Sequence, residues 1–103
     1  MRLPSECRNM DELRAQIDRL DQELVGLLVA RTGYIDRAID LKTSAQLPAR
    51  IEARVDEVLE NVRRLAAQQG LDPELAAALW ERIIEWSIAR EERVLGKTQE
   101  RPE

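Results

Sequence analysis

The sequence predicts an all-α chain of three helices, the first of them long. Apolar residues recur at spacings of three and four along most of the chain, and no stretch alternates with the period of a strand. The breakers are few and fall at boundaries: Pro48, Gly70, Pro73 and Gly96 cut the pattern into three pieces of helical length. At 103 residues the chain has room for one core, so residues 1–103 are expected to form a single domain. The expected helices cover about 10–43, 49–69 and 73–95.

The first helix opens at Asn9, whose side chain can cap, with Glu12 placed to reach back as in a capping box. Met10, Leu13, Ile17, Leu20, Leu24, Leu27, Arg31, Tyr34, Ala38 and Leu41 then form a coiled-coil-like seam. Ending near Lys42 or Thr43, this helix is about 50 Å long. A compact domain of this size has a radius of gyration of about 13 Å. The chain therefore cannot cover the whole seam itself, and a second copy is the expected cover.

The segment from Ser44 to Pro48 reads as a loop. The second helix carries Ile51, Val55, Val58, Leu59, Val62 and Leu65 on one face. Gly70 suits a left-handed stop, with Leu71 as the apolar residue just beyond it. Asp72, Pro73 and Glu74 restart the chain as cap, first-turn proline and first-turn acid. The third helix carries Leu75, Leu79, Ile83, Trp86 and Val94 and is expected to end near Gly96. A polar tail, 97–103, is expected to fray.

Composition narrows the function. With 16 Lys+Arg against 20 Asp+Glu, the net charge of -4 argues against nucleic-acid binding, which needs a basic face. The chain has no histidine, which removes His dyads and His metal sites, and its single Cys7 forms no CxxC. No apolar run reaches the roughly 18 residues of a membrane span. The first residues lack the apolar stretch of a signal peptide, so a cytoplasmic location is expected, with no membrane partner. No metal or other cofactor is expected.

Several polar residues occupy positions where apolar ones belong. Arg31 lies on the seam between Leu27 and Tyr34, where a guanidinium needs an anionic partner. An ion pair to a glutamate within the chain, or snorkelling to the edge, would satisfy it as well as a ligand would. Lys42 follows eleven residues later on nearly the same face, about 16 Å along the axis. It reads either as a dipole-complementing cation or as half of a grip on a small anion. Arg14 precedes Arg31 by about 25 Å of helix, so one small ligand could meet both only if they come from different chains. Ser87 and Glu91 share a face of the third helix, and Arg50 and Arg54 head the second, where the dipole disfavours a cation. Gly26 and Gly33 are compatible with close approach of a helix or ligand, or with a plain exposed face. Cations directed into an apolar helical interior suit a small dianion.

The run Asp11-Glu12-Leu13-Arg14-Ala15-Gln16-Ile17-Asp18-Arg19-Leu20-Asp21 resembles the opening block of the all-helical chorismate mutases, the AroQ class, and of the related isochorismate-pyruvate lyases. The resemblance continues through Leu24 to Arg31, Lys42, Arg54 and Ile83-Ile84-Glu85-Trp86-Ser87-Ile88-Ala89, about residues 7 to 95 in all. It implies an intertwined homodimer with shared active sites. In that arrangement Arg14 from one chain and Arg31 from the other bind the two carboxylates of the substrate, and Lys42 contacts a carboxylate and the ether oxygen. Arg54 assists on the anion side, and Ser87 and Glu91 line the pocket opposite Lys42. Lys42, Glu91 and Arg31 are then the catalytic set. The implied reaction is the one-step rearrangement of chorismate to prephenate, driven by holding a reactive conformer and by fixed positive charge.

Two positions depart from the family pattern. Glu91 stands where many relatives carry glutamine, and burial would favour its protonated form. Ile51 and Val55 lie in the substrate-binding set where typical chorismate mutases place acids against the ring hydroxyl. That apolar pair, with Pro4 to Cys7, the turn Gly70 to Asp72, and Trp86, also resembles the lyase branch, which yields salicylate and pyruvate from isochorismate. A mutase of amino-substituted chorismate and a non-catalytic helical dimerisation module are further alternatives.

Overall fold

The computed structural model describes residues 2–97. A 3-10 turn, Pro4–Glu6, precedes three helices: α1 (Met10–Ala45), α2 (Glu52–Gln69) and α3 (Pro73–Leu95). No strand occurs among the described residues. Beyond Lys97 the expected tail lies outside them. The fold is thus all-α with a long first helix. Two compact units meet within α1, one ending at Tyr34 and the other beginning at Ile35.

In the first unit, Asn9 Oδ1 accepts from the Glu12 backbone N–H at 2.9 Å, the expected cap. The reach-back half of the box differs. Glu12 accepts from the backbone N–H of Arg8 at 2.9 Å rather than from Asn9, and from the guanidinium groups of Arg8 and Arg2 at 2.9 and 2.6 Å. Two cations within reach compete better for a carboxylate than a single amide. Hydrogen bonding to Arg8, with help from Arg2, holds the Glu12 carboxyl below its usual range. The α1 seam is open in the single chain: Ile17, Leu20, Leu24 and Leu27 are all exposed, with Val25 and Val29 beside them.

In the second unit, α1 runs two residues further than expected and α2 begins three residues later, at Glu52. The cause is Ala49, which is only 2% exposed and packs against Ile84 and Ile88 of α3. Burying that methyl keeps the chain non-helical through Ile51, whose extended backbone serves as N-cap. Gln46 takes the left-handed conformation that closes α1, and the Leu47 N–H donates back to the Lys42 carbonyl at 2.9 Å.

Gly70 ends α2 at φ +85°, and the Leu71 N–H reaches the Ala66 carbonyl at 2.8 Å. Asp72 then caps α3, accepting from the Glu74 N–H at 2.9 Å, with Pro73 in the first turn. Val62 and Ala66 of α2 and Ala76 and Ala77 of α3 are buried. Further along, Val55, Val58, Leu59, Trp80 and Leu95 pack around Ala49, Ile84 and Ile88.

The buried face of α3 is not the one that carries most of its large apolar residues. Ala76, Ala77, Ile84, Ser87, Ile88 and Glu91 are inside, while Leu75, Leu79, Trp86 and Val94 are exposed in the single chain. On α2, Leu65 is likewise exposed. Helix α3 is apolar on two sides, so periodicity offers two stripes. The one holding alanines lets a neighbouring helix approach closely, and cross-helix ion pairs fix its rotation.

Candidate active site

Lys42 lies in the last turn of α1 and turns inward. Its Nζ donates to Glu91 Oε1 of α3 at 2.6 Å and to the Ala49 carbonyl at 2.8 Å. The Lys42 side chain is 18% exposed and that of Glu91 only 5%. Desolvating either charge alone is costly, and the short charge-assisted contact offsets that cost for both. Glu91 is buried against the Lys42 ammonium.

Ser87, one turn ahead of Glu91, is buried on the same stripe, and its Oγ donates to the Ile83 carbonyl at 2.9 Å. Beside Lys42 lies an open groove of about 490 Å³, lined by Lys42, Thr43, Gln46, Leu47, Pro48, Val94 and Leu95. The ammonium has three protons, and two of them are engaged by Glu91 and Ala49. A partly desolvated cation facing a groove can hold a small anion.

The other expected site residues are placed as follows. Ile51 and Val55 are half-buried, and Val55 packs onto the central cluster, so this position offers no hydrogen bond to a ligand hydroxyl. Arg54 is exposed and donates to Glu57 at 2.6 Å, an ordinary surface pair in the single chain. Arg50 precedes α2 instead of heading it, and its guanidinium bonds Glu85 and, at 3.4 Å, Glu52. Those partners, Glu85 first, raise the Arg50 pKa. Arg14 is exposed and Arg31 half-buried, both within the first unit.

Two features escape sequence reasoning. Arg90 bridges from α3 to Asp36 of α1 in a two-pronged ion pair at 2.6 and 3.1 Å, and its guanidinium lies 5.6 Å from the Trp86 ring. Hydrogen bonding to Arg90 lowers the Asp36 carboxyl and raises the Arg90 guanidinium in turn. The two α1–α3 pairs have opposite polarity, acid to base at Asp36 and base to acid at Lys42, and only the register of the two helices shows this. The second feature is the Ala49 carbonyl, a backbone acceptor with no signature in side-chain pattern.

Residues 13–92 match the family described as chorismate mutase type II. The chain belongs to this family. All eight expected site residues, from Arg14 to Glu91, fall inside the matched span. Across 100 residues the chain is 33% identical to the isochorismate pyruvate lyase of Pseudomonas aeruginosa, covering 96% of this chain and 97% of that one. It is 31% identical over 88 residues to the bifunctional chorismate mutase/prephenate dehydratase of Aquifex aeolicus, covering 82% of this chain and 24% of that longer protein. With the chorismate mutase of Methanocaldococcus jannaschii it shares 22% identity over 88 residues, covering 85% and 89% of the two chains. Membership in the chorismate mutase family points to isomerase or lyase chemistry. No helix among the described residues is long and apolar enough to cross a membrane.

Proposed function

We propose that the protein is a chorismate mutase, converting chorismate to prephenate as a single-domain homodimer with shared active sites. One observation carries the reading: inside the family span, Lys42 is held nearly buried between Glu91 and the Ala49 carbonyl at the edge of a groove. The rearrangement makes and breaks bonds in one cyclic step. It needs no nucleophile, base or cofactor, only a folded substrate and fixed charge at the ether oxygen that gains electrons. Lys42 supplies that charge. Arg14 of one copy and Arg31 of the other bind the two carboxylates of the dianion, with Arg54 on the anion side. Ile51, Val55, Ser87 and Glu91 belong to the proposed substrate-binding set behind Lys42, the one member of the set that lines the groove. The exposed α1 seam is the surface the second copy covers.

A second reading has specific support. Ile51 and Val55 leave a chorismate ring hydroxyl without a partner, and the likeness to a lyase extends over almost the full length of both chains. In that reading isochorismate enters the same pocket and loses pyruvate to give salicylate.

Parallel assays of both substrates decide between them. Consumption of chorismate at an enzymatic rate, with slower salicylate formation from isochorismate, supports the mutase, and the reverse order establishes the lyase. Subunit mixing tests the shared site. Arg14→Ala and Arg31→Ala are each expected to be inactive. Co-refolded, they should recover about a quarter of native activity, because half the dimers are mixed and each mixed dimer has one intact site. Failure to recover any activity on mixing contradicts the two-chain site, and full activity of Lys42→Ala contradicts the assignment of the pocket.

A further inference from the structure

We infer that Ala49 is a positioning residue for Lys42, latched in place by the Arg50–Glu85 ion pair. The inference rests on the reading of Lys42 as the cation that faces the substrate, and it assigns how that cation is aimed.

Among the described residues Ala49 has the lowest exposure of the buried set, 2%, although it belongs to a connector and not to a helix. Connectors normally lie on the surface, because buried irregular backbone leaves polar groups to be satisfied. Here the neighbours obey that rule: Leu47 and Pro48 are exposed. Ala49 alone in the connector is buried, and its methyl packs against Ile84 and Ile88. Its carbonyl finds a partner in the Lys42 ammonium, at 2.8 Å. Ile84, Ile88 and Glu91 follow one another along a single stripe of α3 at helical spacing. The same stripe therefore holds the methyl of Ala49 and presents the carboxylate that Lys42 meets at 2.6 Å. Both acceptors of the ammonium are referenced to one rigid surface. A lysine on a four-carbon stem loses much rotamer freedom when aimed, and two fixed acceptors do the aiming. Next along the chain, Arg50 bonds Glu85, the neighbour of Ile84, so an ion pair clips the connector to α3 beside the methyl socket.

The chain contains only two lysines, Lys42 and Lys97, which makes the geometry directly measurable. An amine-reactive acylating reagent is applied briefly to the folded full-length protein, and labelling of Lys42 relative to the exposed Lys97 is read by peptide mass spectrometry. Ala49→Val overfills the socket and Glu85→Gln opens the latch without touching the core, so the latch arm stands if the first variant fails to fold. Both variants are expected to raise the labelling ratio. Turnover number should fall about tenfold or more in Ala49→Val and about threefold in Glu85→Gln, with KM changing less. The exchange Arg50→Glu with Glu85→Arg should restore both readouts. Ala77→Val, an overfilling at an equally buried alanine, is expected to lower Tm while kcat stays within about twofold. An unchanged labelling ratio in both Ala49→Val and Glu85→Gln overturns the inference whatever the activity. So does a raised ratio with unaltered kcat. If Lys42→Ala itself retains full turnover, the reading of the site fails instead, and the labelling ratio still decides whether Ala49 holds Lys42.

Discussion

Replacing Lys42 by methionine should destabilise the fold far more than replacing both members of its ion pair. The side chain of Glu91 is 5% exposed and accepts the ammonium at 2.6 Å. Without Lys42 the carboxylate stays in the interior with no cation, a loss of about 3–5 kcal/mol for a buried pair broken on one side. Glu91→Leu is milder. Lys42 keeps the Ala49 carbonyl and is 18% exposed, so it can move toward the groove, at a cost of about 1–2 kcal/mol. The double variant, methionine facing leucine, fills the same space without charge and should lie within about 1 kcal/mol of the native protein. The coupling energy is therefore roughly 3 kcal/mol or more. Urea unfolding of all four proteins measures it. With a slope of about 2 kcal/mol per molar, Lys42→Met moves the midpoint by roughly 2 M. Protein concentration must be held constant, because self-association would stabilise the native state by mass action. If the two single losses simply add to give the double loss, Lys42 and Glu91 are not paired in the folded protein, and the geometry argued for the site is refuted.

Three further outcomes are expected. Asp36 has its carboxyl lowered by Arg90, so the pair's contribution is complete above the ordinary aspartate range and is lost as pH falls through the lowered folded-state value. The difference in urea midpoint between native protein and Asp36→Asn should accordingly shrink on acidification and with added salt, and a gap constant with pH would contradict the pairing. Gly70→Ala should cost about 1 kcal/mol with no steric clash, because φ is +85° and the space around the position is open; circular dichroism melts should show Tm lowered by about 4–8 °C. Leu20→Glu and Leu24→Glu place charge on the exposed α1 seam and should convert the proposed dimer to monomer in sedimentation velocity with loss of turnover; an unchanged sedimentation coefficient would show that the seam is not the contact.

Much of this protein was legible because its signals are local. Asn9, Gly70, Asp72 and Pro73 act within one turn of their own position, so these starts and stops follow from neighbouring residues, unlike the start of α2 at Glu52. The length of α1 and its seam likewise announced apolar surface that one chain leaves uncovered. Lys42 and Glu91 were identifiable as candidates because each breaks an apolar stripe or departs from a family pattern. What the sequence did not disclose depends on how helices are rotated and docked. Periodicity leaves two apolar stripes on α3, and in the fold the one holding Ala76 and Ala77 is inside while Leu75, Leu79 and Trp86 are exposed in the single chain. That rotation decided that Glu91 meets Lys42, that Arg90 meets Asp36, and that the Ala49 carbonyl completes the grip on the ammonium. The caps at Asn9, Gly70 and Asp72 follow from interactions a few residues apart, whereas the encounter of a cation with an acceptor 49 residues away exists only once the helices have packed.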